Sequence, residues 1–410
     1  MSGAWVSASV RSRSRRPVAE QGTDPRRALL VVEPRFAVEH VGVRRVIADY
    51  WQRLLTRGYT VDLGVVSAGH LHRVSGPAAD ETLAAITTRH GEKTARTGVL
   101  DLAEALELRI DTAGYDVSML TNPWLCDQLM PHLRFTHGVV YDLVPNLLAA
   151  QALDFGTPNW VAAGFAHSHH RGFQFFLDSV ETILCISQST RSDFLRYYTP
   201  DDVASVVVDI PFDVDRYLAE QGETSPDAGA PPAAPDDRTD VTRVLLVNVL
   251  DPRKNIAQVS KALAEVSARM PLVIDIVGSN RLPPELSPKQ FLKQLASGGA
   301  TVTWHENAPD DLLTALYQSS DVLLFPSLYE GLGLPILEAQ SFGTPCISSS
   351  GSSLGEVNLN PALYVDPRDP GDIARVLAAF IAGESRVTRG ESLADLTRTF
   401  LAANRGFDPR

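Results

Sequence analysis

Apolar positions along the chain come in two textures. Short continuous runs such as 28–33 (ALLVVE), 244–250 and 322–325 alternate with longer stretches in which apolar residues recur every third or fourth position. A continuous run bounded by turn residues marks a strand covered on both faces, and the wider spacing marks an amphipathic helix. In the first half the pattern predicts strands at 28–33, 60–66, 116–120, 134–140, 182–186 and 203–208, with a helix over about 40–57 after the first. Residues 67–98 carry no regular pattern. In the second half it predicts strands at 244–250, 272–277, 301–304, 322–325, 346–348 and 363–365, separated by helices at 256–269, 288–295, 310–318, 335–342 and 371–381. Strands that alternate with helices are βα units of a parallel sheet. The expected fold class is therefore α/β: two Rossmann-like, doubly wound parallel-sheet domains facing a cleft.

The pattern breaks between the halves. Residues 219–240 (AEQGETSPDAGAPPAAPDDRTD) hold four prolines, no aromatic and no large aliphatic side chain. Such a stretch has no apolar area to bury and reads as an exposed linker. The expected organisation is a basic disordered tail over 1–27, an N-terminal domain over 28–218, a linker over 219–242 and a C-terminal domain over 243–384. A last helical stretch within 385–410, about 393–403, is expected to pack back on the N-terminal domain.

Composition narrows the function. The formal charge of −12 excludes wholesale nucleic-acid binding, which needs a basic face for phosphates. No run approaches 18 apolar residues, so no transmembrane helix is expected. Cys126, Cys185 and Cys346 are far apart and form no CxxC pair, which reads as reduced thiols in a cytoplasmic protein. The tail carries Arg11, Arg13, Arg15, Arg16, Arg26 and Arg27 without an apolar core, so it is not a secretory signal. It leaves open a peripheral contact with acidic lipid at the inner face of the cell membrane.

Ligands of open parallel sheets bind beyond the carboxyl ends of strands, where helix N-termini offer free N–H groups. The stretch FPSLYEGLGLPILE, Phe325 to Glu338, has that form: a strand end, a glycine-bearing loop, then Pro335 opening a helix. Gly331 and Gly333 would let an anion approach the backbone. Glu338, one turn into the helix, would face the same region as Glu330. Singly, Glu338 could complement the helix dipole and Glu330 could be a solvated loop residue. Two carboxylates flanking an anion loop fit a ligand that is both anionic and polyhydroxylated, and a nucleotide sugar is such a ligand. Asp251-Pro252-Arg253-Lys254-Asn255 stands at the matching junction after the first strand of its half. Its two cations make a second anion site, Lys254 being one of only five lysines. A solvated turn is the alternative.

These residues carry a family resemblance. EGLGLPILEAQSFGTPCISSSGSSLGEV resembles the signature of the retaining GT-B glycosyltransferases of family 4 (group 1), with Glu330 and Glu338 at the two glutamates of its E-x7-E motif. VLDPRKNI, CISQSTRSDF and ALYVDPRDPGDIARVL are similar to other segments of that family. The resemblance is dense over roughly 182–218 and 243–382 and diffuse before 134. It implies a hexosyltransferase moving a sugar from a nucleotide diphosphate sugar to a hydroxyl acceptor with retained configuration. The implied acceptor is a glycan or lipid-linked saccharide in polysaccharide biosynthesis, and no metal or other cofactor is implied. By resemblance Glu330, Arg253 and Lys254 are catalytic: Glu330 touches the transferred sugar, and the two cations neutralise the diphosphate. Glu338 binds the ribose, and Gly331, Leu332, Gly333, Leu334 and Asn255 line the donor.

Two departures stand out. Tyr141-Asp142-Leu143 replaces the family's His-Asp-Leu, and Asn248-Val249 stands where many relatives have an arginine. Gly42, Tyr141 and Asp142 are the acceptor-side candidates, Gly42 through its likeness to a cleft-facing glycine loop. His167, His169 and His170 are weighed as a metal site and set aside, because no Cys or carboxylate cluster accompanies them. Asp213-Val214-Asp215 reads as a turn, and Ser187, Thr190 and Asp193 as the opening of a helix. The alternatives are an inactive donor-binding partner subunit, or a sugar-nucleotide epimerase or hydrolase on the same fold.

Overall fold

The computed structural model describes residues 26–32, 41–67, 70–87, 111–123, 133–155, 163–199, 205–222, 241–306 and 308–408. Two sheets organise them. The first contains β1 (Arg27–Val32), β2 (Thr60–Ser67), β3 (His70–Val74), β4 (Val117–Leu120), β5 (Phe135–Val140), β6 (Val180–Cys185) and β7 (Ser205–Val208), in the order β3-β2-β1-β4-β5-β6-β7. The second contains β8 (Thr242–Val247), β9 (Leu272–Val277), β10 (Thr301–His305), β11 (Val322–Phe325), β12 (Cys346–Ser349) and β13 (Tyr364–Val365), in the order β10-β9-β8-β11-β12-β13. Every pairing is parallel except β2 with β3. Each sheet reverses its direction of growth beside its first strand, between β1 and β4 and between β8 and β11. Those switch points are where such sheets open a crevice.

Burial on both faces explains the continuous apolar runs. In β1, Leu29 and Val31 enter one apolar cluster while Ala28, Leu30 and Val32 enter another. In β8, Val244 and Leu246 face one cluster and Leu245 and Val247 the other. One of these clusters joins the two halves. It holds Leu30 and Val32 of β1, Leu245 and Val247 of β8, and between them Tyr217, Leu332 and Ile336.

Helices α1 (Val41–Thr56), α2 (Pro77–Thr87), α3 (Val144–Ala149), α4 (Ala163–Ser179), α5 (Gln188–Tyr197) and α6 (Val214–Gly222) belong to the first half. Helices α7 (Ile256–Ser267), α8 (Pro288–Ala296), α9 (Asp310–Ser319), α10 (Leu334–Ser341), α11 (Leu354–Val357), α12 (Pro370–Ile381) and α13 (Glu391–Ala403) belong to the second.

The fold departs from the sequence expectations at four places. The unassigned stretch after 67 contains the antiparallel strand β3 and helix α2. The first strand of the second half stops at Val247, because Asn248 takes a left-handed backbone with φ 54°. Helix α6 runs on through residues 219–222, the start of the expected linker; residues 223–240 lie outside the described residues, as do 1–25 of the tail. Helix α13 lies along α10 of the second half and meets the first half through Arg398, which pairs with Asp215 of α6. The residues after it make the return. Asn404 O accepts from Ile210 N–H at 3.0 Å, and Phe407 N–H donates to Asp209 Oδ1 at 2.8 Å. The Phe407 ring stands edge-on to Tyr50 and His137 at 5.3 and 5.0 Å.

Candidate active site

The crevice of the second sheet lies between the loops that follow β8 and β11. After β8, Asp251 caps a one-turn helix by accepting Arg253 N–H on Oδ1 at 2.8 Å. Pro252 opens that turn, and Asn255, in the left-handed region with φ 69°, ends it and starts α7. The Asn255 amide donates to the carbonyls of Pro326 and Pro367 at 3.2 and 2.5 Å, and Leu328 N–H donates to Arg253 O at 2.9 Å. The two loops are thus laced together. Asn255, expected as a donor ligand, spends its amide on that lacing and is buried.

The lacing brings Lys254 onto Glu330. The ammonium donates to Oε1 at 2.5 Å and lies 4.4 Å from the centroid of the Phe325 ring. Arg253 Nη1 stands 3.6 Å from Oε2 of the same carboxylate. Burial disfavours the ionised Glu330, but Arg253 and Lys254 outweigh it and hold the carboxyl below its ordinary value. Burial also depresses Lys254, with Glu330 opposing and the Arg253 guanidinium reinforcing the shift. Asp251 and Asp142 also act on Arg253, so the two cations stand among several carboxyl groups rather than facing Glu330 alone.

Glu338 lies in a different setting. It is 2% exposed, accepts Tyr317 O–H on Oε2 at 2.8 Å, and pairs through Oε1 with Arg45 of α1. The two glutamates share no ion-pair or hydrogen-bond partner among the described residues. Their helix still starts where expected. Gly333, with φ 87°, precedes α10, whose first turn has no side-chain cap. A Cβ on Gly42, in the first turn of α1, would lie 3.5 Å from Leu334 Cδ1. The first turns of two helices from opposite halves thus approach each other, and a helix N-terminus favours an anion.

Gly331 has another use than the one expected. A Cβ there would lie 2.2 Å from the Tyr141 carbonyl oxygen, so its bareness admits the first half of the protein as well as any ligand. Its own carbonyl accepts Ser187 O–H at 2.7 Å and Thr190 O–H at 3.1 Å, from the start of α5. Tyr329 O–H donates to Asp193 at 2.5 Å, and Glu356 takes the N–H groups of Gln188 and Ser189 at 2.8 and 2.6 Å. Ser187 caps α5 by accepting Thr190 N–H at 3.0 Å, as expected, but the same hydroxyls grip the Glu330 loop. Sequence offers no period or motif that would announce this grip.

On the acceptor side, the Tyr141 side chain is buried in the cluster that joins the halves, and burial raises its phenol. Asp142 accepts Val144 N–H at 3.0 Å, and burial raises its carboxyl against the pull of Arg253. Leu332 enters the shared core, which leaves only its backbone for a ligand.

The three histidines of α4 part company. His167 is exposed, His169 is buried edge-on to Phe173 at 5.6 Å, and His170 Nδ1 shares a 3.0 Å hydrogen bond with Tyr198. Among the described residues no three His, Cys, Asp or Glu side chains are placed to hold a metal ion. Asp213 caps α6 by accepting Arg216 N–H at 3.1 Å, and Asp215 pairs with Arg398. Cys185 and Cys346 are buried free thiols; Cys126 lies outside the described residues. No helix among the described residues is long and apolar enough to cross a membrane.

Two doubly wound domains facing each other are the architecture of the GT-B glycosyltransferases. Sucrose-phosphate synthase from Thermosynechococcus elongatus shares the fold, with a TM-score of 0.58 at 18% identity over 92% of this chain and 94% of that one. Residues 233–395 match the family of group 1 glycosyl transferases. The chain is 30% identical to the O-antigen chain mannosyltransferase B of Escherichia coli over 207 residues, 47% of this chain and 49% of the relative. It is also 30% identical over 258 residues to the serotype-specific mannosyltransferase WbdA of Escherichia coli, 60% of this chain and 29% of the relative. The chain thus spans about half, or less, of the length of these relatives.

Proposed function

We propose that the protein transfers a hexosyl group, mannosyl by the kinship of its relatives, from a nucleotide diphosphate sugar to a hydroxyl of a growing polysaccharide, with retained configuration. The observation that carries this reading is the meeting of Arg253, Lys254 and Glu330 on the loops that follow β8 and β11, four residues before α10 opens against Gly42 of α1. Cleaving a glycosyl–phosphate bond builds negative charge on the leaving diphosphate, and fixed donors aimed at that charge lower the barrier. The cations and helix N–H groups supply them. Glu330, held ionised by both cations, accepts hydrogen bonds from the sugar hydroxyls and fixes the ring, while Glu338 takes the ribose.

Double displacement would need a carboxylate nucleophile about 5 Å from its partner. Asp142, the carboxyl nearest these groups on the acceptor side, spends an oxygen on the Val144 amide. Departure and attack on one face, with the leaving phosphate as base, is the mechanism we favour. The acceptor enters from the N-terminal domain, and a peripheral membrane contact there would suit a lipid-linked saccharide.

The test is a thermal-shift screen against GDP-, UDP-, TDP- and ADP-sugars, with Glu338→Ala alongside. A donor at about 100 times its dissociation constant stabilises by roughly 2.7 kcal/mol. A shift with one nucleotide class, lost in the variant, followed by an α-linked product from an α-linked donor in proton NMR, is the expected result. Folded protein that no nucleotide sugar shifts would overturn the reading, and a shift without turnover would favour an inactive donor-binding partner subunit. Turnover of the donor without an acceptor would favour an epimerase or hydrolase.

A further inference from the structure

The two carboxylates of the crevice draw their counter-ions from different halves of the protein. Glu330 is balanced within its own domain by Arg253 and Lys254. Glu338 is balanced across the cleft, by Arg45 of α1. That guanidinium is fixed from more than one side. It lies over the Tyr217 ring of α6, 5.6 Å from the centroid, and Tyr217 in turn meets Phe342, just past the end of α10, at 5.7 Å. On the other carboxylate oxygen, Tyr317 O–H donates from the core of the C-terminal domain.

A ribose cannot replace this cation. Its hydroxyls donate hydrogen bonds but carry no charge, so a buried Glu338 holding a ribose still needs a positive partner. Each carboxylate oxygen accepts more than one hydrogen bond, so Arg45 and Tyr317 can stay while hydroxyls are added. An unbalanced Glu338 would also repel the donor's own diphosphate.

We propose that Arg45 is a positioning residue for the donor, supplying from the opposite domain the counter-ion that aims and neutralises Glu338. The donor pocket is then electrostatically complete only in the closed cleft, and nucleotide binding and closure favour each other. This rests on the donor assignment made above.

Isothermal titration of the full chain with GDP and with UDP tests it, using Arg45→Gln, Arg45→Lys, Glu338→Gln and the double variant Arg45→Gln/Glu338→Gln. Circular dichroism establishes that each variant is folded. Loss of the counter-ion should weaken the better nucleotide by about tenfold or more, and Arg45→Lys should return it to within about threefold. In the Glu338→Gln background, where no charge needs balancing, Arg45→Gln should change the dissociation constant by less than about threefold. A purely structural role would cost the same factor in both backgrounds, and that result, or an unchanged affinity for Arg45→Gln alone, overturns the proposal. If the folded parent binds neither nucleotide in this titration nor any sugar in the screen, the donor assignment itself falls and the role of Arg45 with it.

Discussion

Replacing Lys254 by Met tests the centre of the crevice most directly. The side chains of Lys254 and Glu330 are each 8% exposed and joined at 2.5 Å, so the variant removes one partner of a buried pair and leaves the other. Such a loss costs about 3–5 kcal/mol when nothing takes over. Arg253, 3.6 Å from the second oxygen, takes over part of the load, which places the expected loss near the bottom of that range, at about 3 kcal/mol. Met keeps the stem length and the contact with Phe325, so little packing is lost with the charge. Adding Glu330→Gln removes the stranded anion and should restore most of the stability. Activity should not return, because the leaving diphosphate has lost a fixed donor; kcat should stay about 100- to 1000-fold down.

The pH dependence carries a sign. The native Glu330 carboxyl sits below its ordinary 4.5, so its stabilising contribution is present above pH 4.5 and fades as pH falls through the native value. Without Lys254 that fading should begin at a higher pH. Urea denaturation followed by tryptophan fluorescence from pH 3 to 8 measures both effects. A Lys254→Met midpoint that differs from the parent by less than about 0.5 kcal/mol, or a double variant less stable than the single, would refute the buried pair.

Two further outcomes follow from the same geometry. Gly331→Ala would place a methyl 2.2 Å from the Tyr141 carbonyl oxygen, forcing the Glu330 loop away from the N-terminal domain. A loss of about tenfold or more in kcat with an enlarged radius of gyration by small-angle scattering is expected, and unchanged turnover would contradict the close approach. Asp49, buried beside Arg53 and Arg216, has its carboxyl pushed by burial from 3.8 to about 6, so the parent loses stability as pH rises across that window. Asp49→Asn should therefore gain on the parent at pH 7.5 and not at pH 3.5; an equal difference at both values would exclude the titration.

The parallel strands were legible because each is buried on both faces and reads as an unbroken apolar run; β9 and β11 match their expected limits residue for residue. Strand β3 (HLHRV) escaped notice because an edge strand paired on one side needs no such run. Within the crevice, Arg253, Lys254 and Glu330 were readable as charges set in turn chemistry at strand ends. Arg45, Ser187, Thr190 and Glu356 were not. Their partners lie more than a hundred residues away in the other domain, and only the docking of the two sheets brings them into register. The burial of the Tyr141 ring in the shared core was likewise not legible, because that core forms only where the two halves meet.

The return of the chain after α13 has a consequence for synthesis. Asp209, at the end of β7, is fully buried, and its carboxylate is satisfied by Arg53 at 2.6 and 2.9 Å and by the Phe407 amide. The N-terminal domain thus leaves the ribosome with a gap over Tyr50 and His137 that is filled only when residue 407 arrives, after the entire donor domain has been made. Cutting the gene at the linker would yield one half lacking its cover and another trailing an unpaired aromatic tail. Residues 404–407 act as the bolt that turns two successive domains into a single product of translation.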